Sequence, residues 1–267
     1  MRFSLPYDHI LTAASLTGKS VYAILTAAKS LGFDGVDMES GRLNADTEKM
    51  LADVRRADMR VFSLSLPVDT SSEEAIDAVA QTVRLGEMHG IHHITLLPCH
   101  TKASSDTLAE TAAFCDAAAA TATACGVHLS VMNLSLEIAS VRTTKDFSAL
   151  ADLSDRITFT VHTGNLFRLG EDPTESVLPL LKRTARLILS DVTAEERTYG
   201  DTPAYKKDDR YYYPCPVGFG DVGYGKLLPL LKERHYNGIL TCEHYLCDDT
   251  THCIGADADF LLKTLKL

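Results

Sequence analysis

The sequence predicts a single (β/α)8 barrel that forms one domain over residues 1–267. Eight apolar runs of strand length alternate with eight segments of helical periodicity, and this alternation favours a parallel sheet covered by helices. A barrel of this kind needs about 250 residues, close to the 267 present. No linker rich in proline, glycine or serine divides the chain. The glycine signature that marks an open dinucleotide-binding sheet is absent after the first strand.

The predicted strands are short and rich in Val, Ile, Leu and Phe, as buried parallel strands are. They lie near residues 2–5, 35–38, 61–66, 92–98, 127–132, 157–162, 186–190 and 239–243. The predicted helices lie near residues 19–31, 46–57, 72–89, 105–125, 145–152, 173–184, 223–235 and 256–266.

Local signals predict where several of these helices begin and end. Ser71 and Glu74 have the spacing of a capping box before the third helix, and Asp172 precedes a proline suited to a first helical turn. Gly32, Gly90 and Gly126 follow helical segments, where a left-handed residue can end a helix.

The longest irregular segment, residues 194–222, follows the seventh predicted strand and contains the run Tyr211-Tyr212-Tyr213. Long loops in compact domains are usually lids or binding loops, and the loops after barrel strands build the ligand site. We expect this segment to be a lid or ligand wall, with an oligomer contact as the alternative.

Composition excludes several classes of function. The formal net charge is −10 and no run of Lys or Arg occurs, so we expect no nucleic-acid partner. No apolar stretch approaches the ~18 residues of a membrane span, and the first residues do not resemble a secretory signal, so we expect no membrane partner. Seven cysteines without paired spacing favour free thiols and a cytoplasmic location.

Several motifs, taken in order, resemble the sugar phosphate isomerase/epimerase (xylose isomerase-like) family. The motifs are GFDGVD at 32–37, GVHL at 126–129, TGN at 163–165, GEDP at 170–173, LSD at 189–191, PVGFGDV at 216–222 and the closing segment 236–243. The resemblance implies a TIM barrel whose mouth holds one divalent metal. That metal would stabilise the enediolate formed when a proton leaves the carbon beside a carbonyl group.

The metal positions implied by the resemblance are largely changed in this chain. The strand-five carboxylate corresponds to Met132, the strand-six Asp to His162, and the strand-seven His to Ile188. Glu243 alone keeps the residue type, so at most His162 and Glu243 remain as metal ligands. Thioether and aliphatic side chains are poor ligands for Mg²⁺ or Mn²⁺. The cofactor is therefore unknown.

Three interpretations of the mouth stay open. In the first, His162 and Glu243 form an acid/base pair that works without a metal. In the second, the same two residues bind a repositioned metal together with Asp191, His100 or His244. In the third, the mouth binds a sugar but has lost its chemistry. The substrate-binding candidates are Asn133, Asn165, His100, Asp191 and Ser190. Alternatively, the Asn133 side chain hydrogen-bonds to the main chain of a loop, and Asp191 caps the segment that follows it.

Two other groups of residues contain several histidines or cysteines but give no clear indication of a site. Cys242, His244, Cys247, His252 and Cys253 suggest zinc, but their spacing matches no usual zinc motif. His92 and His93 begin the fourth strand, on the face of the barrel that serves stability.

The favoured hypothesis is an isomerase or epimerase, with a lyase as a further reaction class. It would act on a sugar or sugar-phosphate-like small molecule, with Glu243 and His162 catalytic. The alternative is a non-catalytic barrel that binds a carbohydrate or a protein partner. A DNA-repair endonuclease is disfavoured because both a metal cluster and a basic face are missing. A homo-oligomer is compatible with the sequence.

Overall fold

The computed structural model describes residues 1–43, 47–101 and 107–266. Its strands are β1 Arg2–Pro6, β2 Gly35–Glu39, β3 Arg60–Asp69, β4 His93–Cys99, β5 His128–Met132, β6 Thr158–His162, β7 Thr184–Ala194, β8 Tyr205–Lys207, β9 Arg210–Cys215 and β10 Ile239–Glu243. Its α-helices are α1 Tyr7–Thr17, α2 Val21–Ser30, α3 Thr47–Arg56, α4 Ala75–His89, α5 Thr107–Ala124, α6 Thr144–Leu153, α7 Thr163–Arg168, α8 Pro173–Leu180, α9 Tyr224–Glu233 and α10 Thr250–Leu265.

Strands β1 to β7 and β10 close into a parallel barrel. Each strand pairs with the next in chain order, and β10 pairs with both β7 and β1. The prediction of a (β/α)8 barrel is therefore confirmed, and all eight predicted strands are barrel strands. The predicted helix starts at residues 46 and 105 lie outside the described residues.

The loops after three strands contain structure that the sequence did not indicate. Helix α1 follows β1 directly, and the short helix α7 follows β6. Residues 194–222 are not wholly irregular, because β8 and β9 form an antiparallel hairpin whose strand β9 pairs with an extended β7. Asp208 and Asp209 turn this hairpin with φ angles of 49° and 62°, the left-handed backbone that a two-residue loop requires.

Most of the predicted helix ends are confirmed. Asp172 accepts hydrogen bonds from the main-chain N–H groups of residues 174 and 175 and caps α8. Gly32, Gly90 and Gly126 have positive φ, as predicted. The capping box at the third predicted helix is wrong: α4 begins at Ala75, and Glu74 makes no side-chain cap.

No single helix in the described ranges is both long and apolar enough to cross a membrane. Helices α1 and α2 pass that test only as a pair, and they are bent by 114° at the break between them.

The barrel interior contains a layer of polar side chains, one from each strand. Interiors of this fold are usually filled with bulky branched residues. The layer here consists of Ser4, Asp37, Ser63, Thr95, Ser130, Thr160, Arg186 and Thr241.

One connected network joins all eight polar side chains. The Arg186 guanidinium pairs with Asp37 at 2.5 Å and donates to the hydroxyl of Thr95 at 3.1 Å. Asp37 accepts from the hydroxyls of Ser4 and Thr241, both at 2.7 Å. Thr95 contacts the hydroxyls of Ser63, Ser130 and Thr160 at 3.1–3.3 Å. Buried polar groups are costly without partners, and this network gives each side chain of the layer at least one, although Nε of Arg186 has no partner among the described residues.

Candidate active site

A cavity of about 260 Å³ opens at the carboxyl end of the barrel strands. Side chains on one face of a strand recur every two residues, so the positions two residues beyond the polar layer form the next layer. All eight of those positions line the cavity: Pro6, Glu39, Ser65, Leu97, Met132, His162, Ile188 and Glu243. Asp37 and Arg186 of the polar layer also line it. The cavity lies at the end of the barrel where enzymes of this fold place their active sites.

His162 and Glu243 meet at this cavity, as the first interpretation requires. Nε2 of His162 lies 2.9 Å from Oε1 of Glu243. The two side chains keep 11% and 18% of their surface exposed, so a small ligand can reach them. The remaining described residues make no further hydrogen bond to Glu243, which leaves Oε2 available to a ligand.

A main-chain contact determines which nitrogen of His162 carries the proton. The N–H of Asn165 donates to Nδ1 of His162 at 3.1 Å, at the first turn of α7. A nitrogen that accepts a hydrogen bond carries no proton, so in neutral His162 the proton is on Nε2. Nε2–H therefore donates to the Glu243 carboxylate. His162 holds Glu243 in place, and its own lone pair is occupied.

Asn133 and Asn165 hold His162 in position through hydrogen bonds. Asn133 is fully buried, donates to the carbonyl of His162 at 3.2 Å and accepts from its N–H at 2.8 Å. This geometry corresponds to the backbone-support role of Asn133 rather than to ligand contact. Asn165 donates to the carbonyl of Asn133 and accepts from the Ser135 hydroxyl, yet it still lines the cavity.

A second pocket of about 200 Å³ adjoins the first beneath the β8–β9 hairpin. We call the first the inner cavity and the second the outer pocket. Both are lined by His162, Asn165, Glu243 and Tyr245. The outer pocket adds Gly164, Arg168, Ser190, Asp191, Val192, Ala204, Tyr205, Pro214 and Leu246. The hairpin thus forms a wall of the site, and of the run Tyr211-Tyr212-Tyr213 only Tyr211 is exposed.

Asp191 organises the segment that follows the hairpin. Its buried carboxylate accepts hydrogen bonds from the main-chain N–H groups of Val192, Gly218, Gly220 and Val222. This pattern is the capping alternative of the sequence analysis. Ser190 lines the outer pocket, and its main chain is held by the Tyr224 hydroxyl.

Burial of Asp191 predicts a measurable pH dependence of stability. Burial raises the pKa of Asp191 from 3.8 to about 6, against the four N–H donors, which lower it. Because the folded pKa is the higher one, its stabilising contribution is complete below about pH 4 and is lost as the pH rises through 6. Two pKa units correspond to about 3 kcal/mol.

The measurement is urea unfolding of the wild type and of Asp191→Asn between pH 4 and pH 7.5. We expect the difference between their free energies of unfolding to change by about 3 kcal/mol in favour of the variant as the pH rises. Two curves that stay parallel over this range would contradict the assignment.

His100 does not join the site. Its Nδ1 contacts the Thr70 hydroxyl at 3.3 Å and its Nε2 faces Glu110 at 3.4 Å, outside both pockets. His244 lies buried behind β10, where its Nδ1 contacts Asp257 at 3.1 Å. The structure thus does not bring His100 to the mouth, because Thr70 and Glu110 hold its ring elsewhere, and its contact with a ligand stays a prediction.

No repositioned metal site or zinc site is found among the residues that the structure describes. They contain no group of three or more His, Cys, Asp or Glu side chains arranged to hold a metal ion. Met132 and Ile188 line the inner cavity where the resemblance places two ligands. Cys242 is fully buried, and His252 stacks on Tyr199, so the zinc hypothesis gains no support. His93 contacts the Ser130 hydroxyl at 2.8 Å, a structural role.

Several charged or polar residues of the mouth were not predicted from the sequence. Asp8, Asp37, Glu39, Arg186 and Tyr245 all line the inner cavity. Strand parity was a usable signal for three of them, because Asp37, Glu39 and Arg186 face the barrel interior in the same phase as His162 and Glu243. Asp8 and Tyr245 lie just beyond the ends of β1 and β10, where strand periodicity no longer predicts which way a side chain points.

Comparison with known proteins places the fold in context. Three solved structures share it at low sequence identity. The probable 3-DHS dehydratase AsbF of Bacillus anthracis, involved in petrobactin synthesis, is 14% identical with a TM-score of 0.75 over 98% of each chain. D-allulose 3-epimerase from Methylomonas sp., in complex with D-allulose, is 15% identical with a TM-score of 0.74 over 99% of this chain and 97% of that one. A xylose isomerase-like protein from Mycobacterium smegmatis, in complex with magnesium, is 17% identical with a TM-score of 0.68 over 91% and 87%.

These identities establish a common fold and nothing finer. The curated proteins contain no match to the chain. A family model described as a xylose isomerase-like TIM barrel matches residues 25–263. Because that match covers most of the chain, the protein belongs to the xylose isomerase-like TIM barrel family.

Proposed function

We propose that the protein is an enzyme that moves a proton at the carbon beside a carbonyl group of a sugar-like substrate. The observation that carries this proposal is the carboxylate of Glu243, held at the inner cavity by His162 with Oε2 available. The reaction class is an isomerase or epimerase. Epimerases and a dehydratase among the structures of the same fold support an enzyme of this general kind.

The residues present do not fit the divalent metal that the family resemblance implies. Met132 and Ile188 offer no ligand suited to a hard cation. Metal binding through Nε2 of His162 would move the ring proton to Nδ1, where it would face the N–H of Asn165. The proposed reaction therefore uses side chains alone.

Glu243 serves as the base in this scheme. Its carboxylate takes the proton from the carbon beside the carbonyl group, and the electron pair of that C–H bond forms an enediolate. Once Glu243 is protonated, it accepts a hydrogen bond less strongly than its carboxylate did. The Nε2–H group of His162 can then donate to the developing enolate oxygen instead. For an isomerisation, the hydroxyl proton of the enediolate moves to the former carbonyl oxygen, and Glu243 returns its proton to the neighbouring carbon. The total charge of site and substrate is unchanged throughout.

The test is exchange of solvent deuterium into substrate. Wild-type protein is incubated in D2O with a panel of ketoses, their phosphates and their uronates, with and without EDTA. We expect deuterium at the carbon beside the carbonyl group for at least one skeleton, at a rate that EDTA does not change. Exchange that EDTA abolishes and Mg²⁺ or Mn²⁺ restores would contradict the metal-free scheme.

Ligand binding without exchange would replace the proposal by the non-catalytic barrel. Binding is measured on the same panel by isothermal titration calorimetry, so the two outcomes are separated by one set of compounds.

A further inference from the structure

The inner cavity carries an excess of negative charge. Among the described residues, four carboxylates line it, from Asp8, Asp37, Glu39 and Glu243, and one cation, Arg186, which is paired with Asp37. Asp8 is paired with Arg42. No Lys or Arg pairs with Glu39 or Glu243 in the described ranges, and the hydrogen bond to Glu243 comes from Nε2 of His162.

The same four carboxylates act on Tyr245, which also lines the inner cavity. Its pKa is raised by burial and then by the negative charges of Glu243, Asp8, Glu39 and Asp37. A second anion placed in this cavity would face these carboxylates, and repulsion between like charges disfavours it. The part of a substrate that enters the inner cavity is therefore neutral.

The outer pocket differs in that a cation lines it beside its two carboxylates, those of Asp191 and Glu243. Arg168 lines it, and its guanidinium lies over the Tyr205 ring, 5.0 Å from the ring centroid. The Tyr205 hydroxyl is buried and has no hydrogen-bond partner in the described residues. The carboxylate of Asp191, the pocket's other charge apart from Glu243, is turned to four main-chain N–H donors.

We infer that the substrate carries a carboxylate at one end, and that this end binds in the outer pocket between Arg168 and the Tyr205 hydroxyl. The hydroxyl-bearing end with the carbonyl group then lies in the inner cavity beside Glu243. A single guanidinium and one hydroxyl match a group of charge −1. A phosphate dianion would be left with excess charge near Glu243. The substrate class is thus a keto acid with several hydroxyl groups, an inference that rests on the proposed function for the position of the reacting carbon.

Three probes with one carbon skeleton test this inference. D-fructose, D-fructuronate and D-fructose 6-phosphate differ only at carbon 6, which is neutral, singly charged or doubly charged; D-tagatose and D-tagaturonate repeat the comparison with a different stereochemistry. Dissociation constants are measured by isothermal titration calorimetry. We expect at least one uronate to bind ten-fold or more tightly than its parent ketose, and more tightly than the phosphate.

Arg168→Gln identifies the pocket. We expect the variant to lose at least ten-fold in affinity for the uronate and less than two-fold for the neutral ketose. Arg197→Gln is the matched control, because Arg197 is also exposed and stacks on a tyrosine of the same hairpin, Tyr213, but lies outside both pockets. The control should behave as the wild type.

Several results would overturn the inference. They are a uronate that binds no more tightly than its ketose, a phosphate that binds more tightly than both, uronates that do not bind at millimolar concentration, or an equal loss for all probes in Arg168→Gln. A uronate preference without deuterium exchange would keep the inference and contradict the proposed function. Deuterium exchange on neutral ketoses, without tighter binding of the uronates, would keep the proposed function and contradict the inference.

Discussion

Arg186→Met is expected to lower the free energy of unfolding by about 3–5 kcal/mol, because it removes one partner of a buried ion pair. Arg186 is 2% exposed, and its guanidinium neutralises Asp37 at the centre of the polar layer. Without it, the Asp37 carboxylate keeps only the hydroxyls of Ser4 and Thr241. An uncompensated buried charge costs far more than the hydrocarbon that replaces the guanidinium can restore.

The size of this effect is measured by urea unfolding at neutral pH, and a double-mutant cycle tests its cause. In Arg186→Met/Asp37→Asn the charge is gone, while the amide oxygen can still accept from Ser4 and Thr241, so we expect at least 2 kcal/mol to be recovered. Arg197→Met, at an exposed arginine, should stay within about 0.5 kcal/mol of the wild type. Additive effects of the two interior substitutions would show that the pair is not coupled.

The barrel itself could be predicted from sequence because its strands are buried on both faces. Runs such as residues 186–190 and 239–243 are continuously apolar on the side that faces the helices, and this signal does not depend on the ligand. Two strands extend three or more residues beyond their predicted ends, β3 to Asp69 and β7 to Ala194. The extension of β7 comes from pairing with β9, a contact distant in sequence that periodicity does not reveal.

The missing elements have local causes. Helix α7 has six residues and is preceded by His162, whose side chain caps it, a role that residue preferences do not assign to histidine. The β8–β9 hairpin turns through Asp208-Asp209, which lacks the glycine that usually marks such a turn. The run of three tyrosines was therefore interpreted as loop, although aromatic residues are common in strands.

The candidate site was predictable only in part. The convergence of His162 and Glu243 followed from strand parity, and the structure confirms it. The same alternation predicts that Thr160 and Thr241, two residues before His162 and Glu243, also face the barrel interior. When it is extended to every strand, it predicts the whole polar layer. What sequence could not give is the hydrogen bond from Asn165 to Nδ1 of His162, which makes His162 a donor to Glu243 rather than a second base.

Glu243→Gln is expected to lower the rate of deuterium exchange by about 10²- to 10⁴-fold, the usual contribution of a general base. The amide has nearly the shape of the carboxylate but cannot take a proton. Binding of the uronate or ketose should change much less than the rate, because the carboxylate acts on the proton in the transition state. Glu175→Gln, on the exposed surface of α8, removes the same charge outside the site and should leave the rate unchanged.

His162 variants separate positioning from direct proton transfer. A hydrogen bond to an ionised group is worth about 1.5–3 kcal/mol, so loss of the Nε2–H donor in His162→Leu should move the acid limb of the pH–rate profile upward by one to two pH units. His162→Gln keeps an N–H donor and should restore most of that shift, although it cannot act as a base near neutral pH. If the limb stays in place in His162→Leu while the rate falls, His162 does not act through Glu243. If His162→Gln shows no recovery, the imidazole itself transfers the proton, and Nδ1 must then exchange its bond to Asn165 during turnover.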